Sequence, residues 1–277
     1  MKTVVTHLSP DLDAICAVWL IKKYLKGWED ASVDFVPTGS TLNGQKADSD
    51  SNIIHVDTGY GKFDHHDTPD YISASRLVFD DLKKKKQISQ QDLESVDRLV
   101  EIVTFSDHFQ QVFFPNPDDD YYLMFASDLI HHFKSFSKTD SDLLSFGNNI
   151  LEATLYGIKQ KIRAENDIDD GYVFKSSYGQ SIGLYCGNSQ ALVLAQKRGY
   201  MLVIQRNPTR HFVKIKLHPG AKKNLKKVYE KLLKKDARAT WIYHPSGKMI
   251  INGSAHNPHV IASKLSLDEL VNIVKST

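Results

Sequence analysis

The hydrophobic pattern along this chain switches repeatedly between two periods. Lys2–Thr6 is a short β-branched run, and Ala14–Lys26 spaces its apolar residues at helical intervals. Ser32–Pro37 and Asn52–Val56 are strand-like again, the second leading into "DTG", and Ser75–Lys84 returns to helical spacing. This β-α-β-β-α order predicts an α/β domain with a mainly parallel sheet. Further helices are predicted at Ser89–Phe105, Tyr121–Phe136 and Asp140–Glu165.

The second half has a different pattern. "GYVFKSS" and "SIGLYC" read as strands, and "SQALVLAQKRG" as a short helix closed by Gly199. "YMLVIQRNPTRHFVKIKL" reads as a hairpin turning at Asn207-Pro208, and "TWIYHPSGKMIING" as another around Pro245-Ser246-Gly247. Between them "NLKKVYEKLLKK" is a basic helix that turns Leu225, Val228 and Leu232 to the core. Near the end of the chain, Ser266 and Glu269 form a capping box for the helix in "SLDELVNIVK". The polar stretch Ala164–Gly171 separates the halves. It implies a domain over residues 1–165 and a smaller α+β domain over residues 172–277.

Charge sharpens that division. Residues 1–170 hold 17 Lys and Arg against 29 Asp and Glu, whereas residues 171–277 hold 18 against 4. A basic module is expected to meet an anionic partner, and an acidic one to need cations. The longest apolar run, Ala14–Ile21, is far below the roughly 20 residues of a membrane span, and no signal-peptide pattern is seen at the N-terminus. A cytoplasmic protein with no membrane partner is expected. Cys16 and Cys186 fit neither a disulfide framework nor a zinc spacing and read as buried small hydrophobes.

Candidate chemistry lies in four places. His7, Asp11 and Asp13 stand in the first strand-to-helix turn; Asp57 follows the strand in "NIIHVD"; Asp64, His65 and His66 follow in "KFDHHD"; and Asp107 sits in "TFSDHF". Hard divalent ions take carboxylate oxygens, manganese also accepts imidazole, and a two-ion site needs a ligand that bridges both. Ligands of an open parallel sheet bind at the carboxyl ends of its strands, where several of these residues emerge. An Asp-x-Asp before a helix is, taken alone, an N-cap with a solvated neighbour. Its convergence with the other three motifs points to a metal site.

The order "H-x-x-x-D-x-D", strand-terminal "VD", "DHH" and a later Asp resembles the DHH phosphoesterase superfamily, as does the serine-led helix in "SASRLVFDDL". The resemblance covers roughly residues 1–110. "HLSPDLDA" is nearer to RecJ-type exonucleases and pyrophosphatases, while the strand pattern of the second half looks like that of the melanocyte-proliferating-gene nucleases. The resemblance implies a DHH-type catalytic domain with two divalent cations, manganese as the usual ion and magnesium as the alternative. His7 and Asp11 would hold the first ion, Asp13, His65 and Asp107 the second, and Asp57 would bridge. His66 would then face the phosphate, and Asp64 would orient its neighbours. "NGSAHNPHVIAS" falls where relatives carry a glycine-rich loop with a histidine, which makes His256 a phosphate contact.

The expected activity is hydrolysis of phosphodiester bonds in short or single-stranded nucleic acid, in the manner of an exonuclease. Arg206, Arg210 and His211, which flank the hairpin turn, are the expected substrate contacts, and Lys222, Lys223, Lys226, Lys227, Lys234 and Lys235 the expected basic surface. Tyr200, Phe212, Trp241 and Tyr243 are candidates for base stacking. Two other readings stand beside it: a small-phosphate hydrolase, either a pyrophosphatase or a nucleotide phosphatase, and a nucleic-acid or nucleotide-binding module without catalysis. His55, His108, His131 and His132 are expected to be structural or exposed. Oligomeric state is not encoded in these motifs.

Overall fold

The computed structural model describes residues 1–253 and 259–277. The chain divides into two compact units, Met1–Ile158 and Lys159–Thr277.

In the first unit, β1 (Thr3–His7) leads through the turn at Leu8–Pro10 into α1 (Leu12–Tyr24), and β2 (Ser32–Val36) and β3 (Ile53–His55) follow. Both flanking strands pair with β1 in parallel, so the sheet order is β2-β1-β3. The chain therefore leaves β1 to one side and later returns on the other. The carboxyl end of β1 is a switch point of the kind where open α/β sheets bind ligands. His7 is the last residue of β1, and Asp57 lies two residues beyond β3.

Helix α1 is buried at every position from Leu12 to Ile21. A helix apolar all round must be covered on all sides, and its cover comes from the sheet, α2 (Ala74–Lys84), α3 (Gln90–Asp107) and α4 (Ala126–Phe133). The 30-residue α5 (Asp140–Asp169) also packs on it closely. A Cβ at Gly147 would come within 2.8 Å of Ile15, and the Trp19 indole donates to Glu152 at 2.8 Å. The division between the units falls inside α5.

The helix predicted over Tyr121–Phe136 is interrupted. Asp120–Met124 forms a 3-10 turn, and Phe125 adopts an extended conformation (φ −73°, ψ 152°) before α4 begins at Ala126. Contacts among Phe114, Tyr122 and Phe125, with ring centroids 5.1–5.6 Å apart, hold that break.

The second unit has a six-stranded mixed sheet. Strands β4 (Tyr172–Ser176) and β5 (Gly179–Leu184) form a hairpin, and α6 (Ser189–Lys197) crosses to β6 (Leu202–Arg206), which pairs with β5 in parallel. β7 (Val213–Leu217) returns antiparallel to β6. After α7 (Lys226–Lys235), β8 (Ile242–Tyr243) and β9 (Met249–Asn252) complete the order β4-β5-β6-β7-β9-β8. The chain closes with α8 (Leu267–Lys275), whose capping box between Ser266 and Glu269 is present as predicted. Leu225, Val228 and Leu232 are fully buried with Trp241 and the inner face of α8. No helix among the described residues is long and apolar enough to cross a membrane.

Candidate metal centre

Four segments of the first unit deliver carboxylates and imidazoles to one place. His7 ends β1, and its Nδ1–H donates to the Leu8 carbonyl at 2.9 Å, which turns Nε2 toward Asp57. The following turn is held from outside: Ser9, at φ 55°, donates its N–H to Asp140 at 3.1 Å and accepts from the Lys134 ammonium at 3.0 Å. Asp11 caps α1, with Oδ1 accepting from the Ala14 N–H at 3.0 Å. A carboxylate capped in this way still has lone pairs to offer.

Asp13 is buried and bound differently. Its Oδ2 accepts from the Ala74 N–H at 2.7 Å and its Oδ1 from the Ser75 N–H at 3.0 Å, so it sits on the amino end of α2. The orphan N–H groups and helix dipole there favour a negative charge. Ser73, the cap of α2, meets Thr104 of α3 at 2.9 Å, tying that helix end to the helix carrying Asp107.

Asp57 takes the left-handed conformation (φ 55°), which is strained for a non-glycine residue and is held here by Asp57 N–H donating to Phe63 O at 2.9 Å. Its two oxygens face different partners. Oδ2 lies 3.4 Å from His7 Nε2, and Oδ1 lies 3.4 Å from His65 Nε2. Oδ1 is fully buried and accepts no hydrogen bond. His65 Nε2 also lies 3.6 Å from Asp107 and 3.8 Å from Asp13.

Asp64 is buried beneath this cluster. Its Oδ2 accepts from the Tyr60 N–H at 2.7 Å, and its Oδ1 accepts from His66 Nδ1 at 2.6 Å and from the His66 N–H at 3.2 Å. His66 is more exposed, with Nδ1 3.7 Å from Asp57.

The donor atoms fall into overlapping groups, each within 4.8 Å: His7, Asp11 and Asp57; Asp13, His65 and Asp107; and Asp57, His65 and His66. The first two groups correspond to the two ligand sets that the resemblance implies, and Asp57 faces both. The third competes for the same Asp57 oxygen.

The electrostatics show a surplus of negative charge. Burial and the neighbouring carboxylates of Asp57, Asp107 and Asp11 push Asp13 well above the ordinary carboxylate range. Burial likewise raises Asp107 to about 6. Burial also opposes ionisation of Asp57, but His65 and His7 outweigh it and lower Asp57 to about 2. His65 is raised to about 9, first by Asp57; His7 reaches about 9 because Asp57, the Leu8 carbonyl and Asp11 overcome burial. Buried carboxylates in such number, one with an oxygen that accepts no hydrogen bond, fit hard divalent cations, which supply the missing positive charge and accept imidazole as well.

The other histidines have separate work. His55 Nε2 accepts from the Leu42 N–H, and His108 Nε2 donates to the Ile72 carbonyl while its ring packs on Tyr71. His131 and His132 are exposed on α4.

The substrate residues expected from the sequence lie in the second unit. Arg206 is buried, donating Nε–H to the Leu265 carbonyl at 2.7 Å and approaching His211 Nδ1 at 3.2 Å. His211 itself has φ 56° in a turn where Asn207 Oδ1 accepts from the N–H groups of Thr209 and Arg210. Arg210, Lys214 and Phe212 line a cavity of about 610 Å³. His256 lies outside the described residues. Trp241 is buried, and Tyr200 and Tyr243 pack against cores, which leaves Phe212 as the sequence-named stacking candidate that lines a cavity.

Sequence reasoning missed the amino end of α2 as the seat of Asp13 and the Ser9-Lys134-Asp140 brace. "SASRL" carries the signal of a serine cap, but not what the helix end binds.

No protein-family model matches the sequence, and no curated protein matches it. Among solved structures, an uncharacterized protein from Helicobacter pylori matches at 12% identity and a TM-score of 0.27, over 100% of this chain and 98% of that one. The DHH domain of a member of a family of ribosomal proteins matches at 11% identity and 0.34, over 99% and 86%. RecJ in complex with Mg2+ from Thermus thermophilus matches at 9% and 0.32, over 99% of this chain and 49% of that protein, so the chain spans about half of its length.

The chain resembles the DHH phosphoesterase superfamily. The likeness is carried by the order of the motifs and the grouping of their side chains.

Proposed function

We propose that this protein is a metal-dependent phosphoesterase that hydrolyses phosphodiester bonds of short or single-stranded nucleic acid in the manner of an exonuclease. The observation that carries the proposal is the placement of Asp57, whose Oδ2 faces His7 and whose Oδ1 faces His65. A carboxylate between two donor groups is what a two-cation centre requires. We assign His7 and Asp11 to one cation, Asp13, His65 and Asp107 to the other, and Asp57 to both, with manganese preferred over magnesium because imidazoles are among the donors.

Bound divalent cations supply Lewis-acid stabilisation of phosphoryl oxygens and a lowered pKa for water. The protein's own groups do the rest. The Nδ1–H bond to Leu8 orients the His7 ring so that Nε2, once it gives up its proton, would serve as a cation ligand. Asp64 holds the His66 ring through Nδ1, which leaves Nε2 to contact the phosphoryl oxygens. The α2 amino end keeps Asp13 in one orientation.

The choice of nucleic acid is supported by charge. Residues 171–277 carry 18 Lys and Arg against 4 Asp and Glu, and phosphate neutralisation by such residues dominates nucleic-acid affinity. We assign residues 1–165 as the catalytic domain and 172–277 as the substrate-binding domain, with Arg210 as a phosphate contact and Arg206 as the group that positions His211.

The test is to supply the protein and manganese with end-labelled single-stranded RNA and DNA, and separately with pyrophosphate and a 3′,5′-bisphosphate nucleotide. Stepwise shortening of the oligonucleotides is the expected result. Phosphate release from the small substrates alone would replace the proposal with a small-phosphate hydrolase. Salt-sensitive binding without turnover would replace it with a binding module.

A further inference from the structure

We propose that Phe109, with the pocket it borders, receives the nucleobase next to the scissile phosphate. The inference rests on the phosphodiesterase reading above and concerns a part of the substrate that metal ligands do not recognise.

A cavity of about 230 Å³ within Met1–Ile158 is lined both by Asp11, Asp13 and Asp107 and by Phe109, His131 and Lys134. It is continuous with the metal centre because three of the proposed ligands form part of its wall. Its volume lies below the roughly 300–1,000 Å³ of sites for drug-sized molecules, so it suits a fragment such as one base.

Phe109 occupies its place at a cost. Helix α3 delivers Asp107 as its last residue and is stopped two positions later by Phe109 in the left-handed conformation, φ 53° and ψ 26°, with its N–H donating to the Ser106 carbonyl. Helix ends of this kind are ordinarily made by glycine or asparagine, and a bulky residue there is an outlier. Burial does not compensate, since Phe109 is 71% exposed. Strained residues of this sort cluster at ligand clamps.

The surroundings define the occupant. The segment after Phe109 is tied back onto α3 by aromatic packing, with Phe114 stacked on Phe105 at 5.5 Å. His131, near the end of α4, and Lys134, the residue that caps it, offer donors to a polar edge or to an adjoining phosphate. The Lys134 ammonium spends one donor on the Ser9 carbonyl and has two more. An exposed aromatic face, an ammonium and an imidazole beside it and cation ligands at the far wall together match a base joined to a phosphate.

The test compares wild type, Phe109→Gly and Phe109→Trp on a thymidine dinucleotide with manganese, and on two analogues in which one base or the other is replaced by an abasic site. Glycine adopts the left-handed conformation without strain, so Phe109→Gly removes the ring while sparing the helix end. The ratio of kcat/KM for the intact dinucleotide to that for one abasic analogue is expected to fall about tenfold in Phe109→Gly, the order of one lost base–aromatic stack, and to recover in Phe109→Trp. An unchanged ratio overturns the inference and leaves the phosphodiesterase reading intact. If no dinucleotide is cleaved, the phosphodiesterase reading fails, and the same ratio taken from dissociation constants decides the inference: loss of base dependence in Phe109→Gly supports it, and its absence overturns it. A change of molecular mass in Phe109→Gly with an unchanged ratio would assign the exposed ring to contact with a second copy of the chain and overturn the inference.

Discussion

The carboxylate of Asp57 stands between two histidines, with Oδ2 3.4 Å from His7 and Oδ1 3.4 Å from His65. Strand β1 and the "DHH" loop thus meet on one residue that is buried and held in a left-handed conformation. Asp57→Asn removes the shared charge while keeping the volume. Elemental analysis after manganese loading and desalting is expected to show both ions lost together and turnover abolished; loss of only one ion would mean that Asp57 serves a single site.

Asp13 has two roles that separate experimentally. Its oxygens accept from the Ala74 and Ser75 N–H groups, which are buried. Asp13→Asn replaces one acceptor with a donor facing an N–H, so the metal-free protein is expected to lose about 1–3 kcal/mol in urea unfolding. Asp11→Ala removes only an exposed helix cap and is expected to cost about 1 kcal/mol. Equal losses for the two variants would contradict the structural role of Asp13.

Without cations, stability should fall as pH rises. His7 and His65 are raised from 6.5 to about 9, chiefly by Asp57 once the burial of His7 is overcome. A histidine with a raised folded pKa contributes stability that is complete below 6.5 and lost as pH passes through 9. Raised carboxylates act in the same direction: Asp107, at about 6, has largely completed its loss before this window opens. The Tm of chelator-treated protein is therefore expected to decline between pH 6.5 and 9, and saturating manganese, which binds deprotonated ligands, to flatten that decline. A flat or rising Tm without metal would contradict the assignment of these contacts.

Asp64 touches His66 and the Tyr60 backbone. Asp64→Ala releases the His66 ring and leaves the proposed ligand set intact. Turnover is expected to drop roughly 10- to 100-fold, with manganese content near that of wild type, since orienting partners of site residues act on this scale. Stoichiometric loss of metal would instead make Asp64 part of the support for the ligands themselves.

Much of the first unit was legible in the sequence because its signals are local. The β-branched run before His7 and the apolar strand before Asp57 fix where both residues leave the sheet, and parallel order follows from the alternation of periods. The serine before "ASRL" is a readable cap, and Ser266 with Glu269 a readable capping box. What was hidden depends on partners far along the chain. Ala74 and Ser75 bind Asp13 across about 60 residues, and Lys134 and Asp140 hold Ser9 from more than 120 residues away. The break at Phe125 was hidden for a different reason: side-chain packing with Phe114 and Tyr122 overrides a helical pattern of apolar residues. The parallel pairing of β5 with β6 was equally hidden, since two strands and a short helix do not declare which edges join.

The central claim is that one carboxylate holds two cations. An anomalous difference map at the manganese edge, from crystals grown with manganese, tests it most directly. The expected result is two peaks per chain, one at ligand distance from His7 and Asp11, the other from Asp13, His65 and Asp107, with Asp57 coordinating both. A single peak, or two peaks of which only one contacts Asp57, would contradict it.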